Sequence, residues 1–257
     1  MWRDFLEALS RWRLIHVLGM MSIRSRYARS TLGQVWMTLS VFFLVVSTGL
    51  VWSFIWHAPV KFFLPYVCAG YVFYLFVSST VNESTTCIIA DHRLYINQKM
   101  PCSISVMTHV YRSFVILLHN LPILIALLLW SSAVHIHFGL FYIPALFLIL
   151  FFLFFSSYTL AVICTRFRDL IPLVASLMQV AFLVTPVMWQ LKVIPQHYHF
   201  YVLLNPFASC LEVLRNPLIG IPVEKVSYFI LLSWTAFAAG LAFLVHRYME
   251  KNTVFWI

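Results

Sequence analysis

The stretch Ser113–Thr165, SFVILLHNLPILIALLLWSSAVHIHFGLFYIPALFLILFFLFFSSYTLAVICT, contains no Asp, Glu, Lys or Arg. A helix needs about 20 apolar residues to cross the hydrocarbon core of a bilayer, so this run is long enough for two crossings with a turn between them. The turn reads at His135–Gly139. Working outward, the same logic gives six segments with little or no charge, at about 35–56, 62–81, 113–134, 140–164, 170–190 and 226–245. The expectation is an all-α membrane protein forming a single transmembrane domain over residues 1–257. Composition agrees: 62% of residues are hydrophobic, 10% are charged and the mean hydropathy is +0.90, whereas soluble domains carry roughly a quarter charged residues.

The net charge of +9 does not form a continuous basic face, which argues against nucleic acid. The cations lie on alternate connections instead. Thirteen fall on one side: Arg3, Arg11, Arg13, Arg24, Arg26, Arg29, Arg93, Lys99, Arg112, Arg166, Arg168, Arg247 and Lys251. Only Lys61, Lys192, Arg215 and Lys225 fall on the other. Cytoplasmic loops are enriched in Lys and Arg, so both termini are expected inside. Met1 is not followed by a short apolar core and a small-residue cleavage site, so no removable signal peptide is expected.

Residues 2–20 carry Trp2, Phe5, Leu6, Leu9 and Trp12 at helical spacing, with charges between them. This is an amphipathic helix, and two environments suit it: the membrane interface, or the protein's own cytoplasmic face. Two connections are too long for turns. The first, 82–112, opens on a polar run ending in Asn82-Glu83-Ser84-Thr85-Thr86 and predicts a structured cytoplasmic element, a coupling or gate segment over 82–102. The second, 191–225, is punctuated by Pro195, Pro206, Pro217 and Pro222. Asn205-Pro206 reads as an N-cap followed by proline at the first helical position. Neither half of this segment can cross a bilayer, so short re-entrant or interfacial helices are expected before the last span.

No catalytic constellation and no metal site emerge. None of the seven glycines is followed by Lys, which excludes a phosphate-binding loop of the Gly-x-x-x-x-Gly-Lys type. His135-x-His137 and His197-x-His199 lack the Cys or carboxylate partners that complete a metal site. The five cysteines are scattered and odd in number, which suits buried thiols rather than disulfides. His119 and Asn120 lie inside the third span beside Pro122, where helix–helix hydrogen bonding around a kink accounts for them. Ion-coupled carriers place carboxylates deep in the membrane, and here only Glu83 comes close. Aromatics make up 18% of the chain. Trp36, Trp52 and Trp56 in the first span and Tyr71 and Tyr74 in the second are candidates to line a path for sugar rings; packing and contact with lipid are the alternatives.

Four blocks resemble the type-2 ABC exporter permeases that move O-antigen, capsular polysaccharide or teichoic acid. They are Ile23–Trp36 (IRSRYARSTLGQVW), Ile88–Pro101 (IIADHRLYINQKMP), Phe167–Pro172 with Thr185–Trp189, and Asn205-Pro206 followed by Glu212, Arg215 and Pro217. Two positions depart from the family pattern: Ser40-Val41 stand where proline is common, and Met100 where an aromatic commonly precedes the loop proline. The resemblance implies a homodimer in the bacterial inner membrane, served by two copies of a separate ATPase that binds ATP and Mg. It implies that Arg24, Arg26, Tyr27 and Arg29 line a cytoplasmic entrance for a lipid-linked polysaccharide. It implies that Asp91, His92, Arg93, Leu94, Tyr95 and Lys99 dock on the ATPase, and that Asn205, Pro206, Phe207, Glu212 and Arg215 form an outer gate. Guanidinium groups suit such an entrance because they bind phosphate bidentately; membrane orientation and contact with anionic lipid also account for them. Other readings are a type-2 exporter of lipid or drug, an ion-coupled carrier using Glu83, and a membrane-embedded transferase using His119 or the outer histidines as base.

Overall fold

The structure, a computed structural model, describes residues 1–26, 31, 33, 35–92, 95, 100–131, 142–253 and 256, without the side chains of Arg3, Glu250, Lys251 and Asn252. Among the described residues the chain is helical throughout, with no strand. Two N-terminal helices, α1 (Trp2–Ser10) and α2 (Trp12–Arg26), precede α3 (Val35–Ile55) and α4 (Val60–Ser84). A short α5 (Cys87–Ala90) leads to α6 (Ser103–Trp130), α7 (Tyr142–Arg166) and α8 (Leu170–Val184). After two 3₁₀ turns come α9 (His199–Leu203), α10 (Pro206–Arg215) and the long α11 (Lys225–Thr253). Five of these helices, α3, α4, α6, α7 and α11, are long and apolar enough to cross a membrane.

The segment expected to span at 170–190 is shorter than expected. Its helix has 15 residues, about 22 Å at the α-helical rise, against a hydrocarbon core of about 30 Å. Proline at 186 decides this. Its ring disfavours helical backbone at the preceding residue, and Thr185 is extended at φ −78°, ψ 137°. The third expected span differs the other way: α6 starts at Ser103 rather than near 113. Its first turns are mixed in polarity, and they are held by packing against the N-terminal helices, where Ala8, Ile15 and Ile104 are buried together. The single amphipathic helix expected over 2–20 is two helices, broken at Arg11 (φ −93°, ψ 29°). Only part of its apolar face meets the bundle. Phe5 stacks edge-on to Phe154 at 5.1 Å, while Trp2, Leu6, Leu9 and Trp12 stay exposed.

α4 is the axis of the bundle. Its apolar window is 72% buried, against 22% for α3, and it packs on α3, α6, α7, α8 and α10. α7 and α11 form the other close pair. Ala161 on one and Ala238 and Ala242 on the other are buried, and small side chains let helix backbones approach. Between α3 and α4 the chain turns at His57, in left-handed backbone at φ 51°. The Ala58 N–H reaches Ser53 O at 3.0 Å and the His57 N–H reaches Phe54 O at 3.3 Å, the two bonds of a Schellman cap. The Met1 amine hydrogen-bonds His246 of α11, so the N-terminal residues and the C-terminal part of α11 lie at the same end of the bundle.

Candidate functional site

The polar chemistry gathers at the two ends of α4. At the end shared with α1 and the C-terminal part of α11, the Glu83 carboxylate accepts from Arg26 Nη2 at 3.0 Å through one oxygen and from Arg112 Nη2 through the other. Arg112 Nη1 also donates to Ser22 Oγ at 2.7 Å. Three helices, α2, α4 and α6, are thus tied by one carboxylate and two guanidinium groups. Beside them opens a cavity of about 550 Å³ lined by Arg26, Trp36, Ser40, Tyr71, Ser79, Glu83 and Asn120, among others. It brings together Arg26, Trp36 and Tyr71, three of the expected entrance and path residues, with Glu83 and Asn120. Arg24 is exposed on the last turn of α2, while Tyr27 and Arg29 lie outside the described residues.

The remaining aromatics separate from this cavity. Trp52 and Trp56 do share a face, with ring centroids 6.1 Å apart, but they sit at the opposite end of α3, where Trp52 packs on Phe63, Tyr66 and Val67. Tyr74 is 5% exposed. Its hydroxyl donates to Met178 O at 2.5 Å and its ring meets Phe182 edge-on at 5.2 Å. Tyr74 therefore fastens α4 to α8, as the packing alternative for these aromatics has it.

The described residues of the segment 82–102 pack on the bundle. Cys87 and Ile88 of α5 are buried. Tyr95 is 7% exposed and donates to Ser105 Oγ at 2.6 Å, so its ring anchors the segment instead of projecting from it as a docking residue would. Asp91 and His92 are half-buried, and the His92 ring reaches Ile89 O at 3.2 Å. Desolvation pushes the Asp91 carboxyl above its ordinary range, opposed by a hydrogen bond from Ser105 and the Arg112 charge. Arg93, Leu94 and Lys99 lie outside the described residues.

At the other end of α4, Asn205 caps α10 as its sequence predicts. Its Oδ1 accepts from the Phe207 N–H at 3.0 Å, and Pro206 takes the first helical position. The Asn205 amide also donates to Thr185 Oγ1 at 3.0 Å, which joins α10 to the end of α8. Phe207 packs, partly buried, against the core. From Ala208 to Arg215 every residue is buried. Arg215, 3% exposed, donates to Pro186 O at 2.6 Å and lies 4.0 Å over the Tyr66 ring. The Tyr66 hydroxyl in turn donates to Trp189 O at 2.9 Å. Glu212 accepts from Asn216 Nδ2 at 3.2 Å and from the Ser227 hydroxyl. Burial pushes its carboxyl above the ordinary range, with the Ser227 hydrogen bond opposing, and burial pulls the Arg215 guanidinium below its own. Glycine is required at 70, because a Cβ there would lie 2.6 Å from Val187 O. The chain from Thr185 to Trp189 therefore crosses α4 in direct contact.

At this end of α4 lies a cavity of about 720 Å³, lined by Tyr66, Gln190, Lys192, Gln196, His199, Glu212, Arg215, Asn216 and Glu224, and by Ile194, Ile221 and Pro222. The sequence reading had Glu212 and Arg215, and Tyr66 only as one of the span-two aromatics; it missed Ser227 and Asn216. Their only signal is polarity at the ends of apolar segments. Among the described residues no group of three or more His, Cys, Asp or Glu is placed to hold a metal. His135 and His137 lie outside the described residues; His199 bonds Ile194 O at 2.9 Å. All five cysteines are buried, and none is in a disulfide. No protein-family model matches the chain, and no curated protein matches it.

Proposed function

We propose that this chain is the membrane-spanning subunit of a type-2 ABC exporter that carries a lipid-linked cell-surface polysaccharide outward across the bacterial inner membrane. In this reading it acts as a homodimer with both termini cytoplasmic. Two copies of a separate ATPase supply ATP and Mg chemistry, because no glycine here is followed by the Lys of a phosphate loop. The chain itself performs no catalysis.

The observation that carries the reading is the placement of two polar cavities at opposite ends of α4. One includes Arg26 and Trp36, from the block resembling the family's entry. The other includes Glu212 and Arg215, from the block resembling its outer gate. Tyr66 and Glu83, seventeen residues apart on α4, are separated by about 26 Å at the helical rise, close to the thickness of a hydrocarbon core. Arg26 is half exposed, so an incoming phosphate can reach it, and guanidinium binds phosphate oxygens in pairs. The exposed apolar face of α1, with Trp2, Leu6 and Leu9, suits a helix lying in the membrane interface. Asp91 and His92, on the folded segment 82–102, are the surface an ATPase would press.

The test has two arms. Cells lacking the chain should retain lipid-linked glycan inside, and the tagged chain should co-purify with an ATPase. Normal surface glycan in the deletion cells would sink the export reading.

A further inference from the structure

We propose that Glu83 is a built-in competitor for Arg26 at the cavity both residues line, keeping singly charged phosphates off that arginine and yielding it to a lipid diphosphate. Naming the ligand a lipid diphosphate rests on the exporter reading; the competition is argued from the atoms of the cluster.

Among the described residues lining that cavity, Arg26 is the one cation and Glu83 the one carboxylate, and they are bonded to each other at 3.0 Å. Arg112 does not line it; from α6 it holds the other carboxylate oxygen. Two guanidinium groups therefore share one carboxylate, which leaves one positive charge of the cluster unmatched. The surplus belongs to Arg26. Arg112 is also bonded to Ser22 at 2.7 Å, and its side chain is 9% exposed, so it is fixed in place. Arg26 reaches Glu83 through one nitrogen, and its side chain is 49% exposed. A solvent-screened pair of this kind is weak, so Arg26 can change partner while Arg112 keeps the Glu83 charge neutralised. An anion entering the cavity has to displace the carboxylate to gain the guanidinium. A membrane phosphodiester carries one negative charge, as the carboxylate does, and the exchange gains it little. A diphosphate brings more charge and more acceptor oxygens to the planar donor fork. The apparent affinity of any anion falls with the fraction of time that Arg26 is free, which sets a threshold. Weak but abundant headgroups stay off, and a tighter ligand still binds. A contact that served only to join α2 to α4 would set no such threshold.

The test compares the parent chain, Glu83→Gln, Arg26→Ala and the double variant by phosphorus NMR line broadening. The full chain is held in a maltoside detergent, and any ATPase that stays bound is first saturated with a non-hydrolysable ATP analogue. The probes are inorganic pyrophosphate and dimethyl phosphate, a soluble phosphodiester. Pyrophosphate should bind the parent, and dimethyl phosphate should bind it more weakly. Glu83→Gln keeps an acceptor for Arg112 and should tighten both probes by about threefold to fivefold, the scale on which an exposed ion pair competes. Arg26→Ala should weaken both, and adding Glu83→Gln to it should restore nothing. Loss of a structural contact does not raise affinity, so the gain separates competition from a purely structural role. Should Glu83→Gln not fold, the comparison is made in the Arg112→Met background, where no buried guanidinium is stranded. Equal binding of the two probes by the parent, no gain from Glu83→Gln, or an equal gain without Arg26 overturns the proposal. The deletion experiment separates this from the exporter reading. A gain through Arg26, with surface glycan normal in deletion cells, supports the competition and sinks export. No gain, with glycan trapped inside, sinks the competition and leaves export standing.

Discussion

Arg112 holds Glu83 with one guanidinium nitrogen and Ser22 with another, at 2.7 Å, so a single side chain on α6 fastens both α4 and α2. Arg26 completes the cluster from outside, 3.0 Å from the second Glu83 oxygen. The two arginines are not equivalent: the Arg112 side chain is 9% exposed and that of Arg26 is 49% exposed.

That difference sets the first prediction. Arg112→Met leaves the Glu83 carboxylate without its inner partner and should cost about 3 kcal/mol, the low end for one-sided removal of a buried pair. Arg26→Ala removes a solvent-screened contact and should cost under about 1 kcal/mol. Denaturation in detergent measures both. A double variant, Arg112→Met with Glu83→Gln, should recover part of the loss, as coupled neighbours do.

The crossing at Gly70 gives the second. Gly70→Ala drives a methyl toward the Val187 carbonyl, a backbone atom 2.6 Å away, and should cost about 1–3 kcal/mol through overpacking. Gly49→Ala meets only the end of the Leu64 side chain, at 2.4 Å, which can rotate aside. Its loss of thermal stability should be distinctly smaller in the same assay.

Asn205 makes two bonds from one amide, to its own helix and to Thr185. Asn205→Ala should cost about 1–2 kcal/mol. Asn205→Asp keeps the cap acceptor but loses the donor to Thr185, so its stability should fall between the two.

The fourth prediction concerns pH. Burial raises the carboxyls of Asp91 and Glu212 above their ordinary values of 3.8 and 4.5, so the folded chain binds these protons more tightly than the unfolded chain. Their contribution to stability is present below the ordinary values and is lost as pH rises through them toward the raised folded ones. This contribution is read as a difference between two proteins: on acidification from neutral pH into the usual carboxylate range, Asp91→Asn with Glu212→Gln should gain less stability, or lose more, than the parent chain. A double variant that gains more than the parent over that range would count against the assignment.

Much of this was legible in the residues. Apolar runs marked the long helices, and Asn205-Pro206 marked the start of α10, because both signals are local. Pairing across helices is not local. Arg112 reads as a span boundary by its charge, yet α6 runs through it, since Glu83 on another helix neutralises it. Tyr74 reads like Tyr71 by spacing, but α8 covers one and a cavity meets the other. The break at Arg11 also escaped detection, because charge and apolar spacing continue through it unchanged.

α4 carries a wall of each cavity, with Glu83 near one end and Tyr66 near the other. A helix hardly stretches along its axis, so a shift imposed at Glu83 travels as a shift of the whole rod. A cross-link that pinned α4 to α3 should therefore restrain the walls of both cavities together.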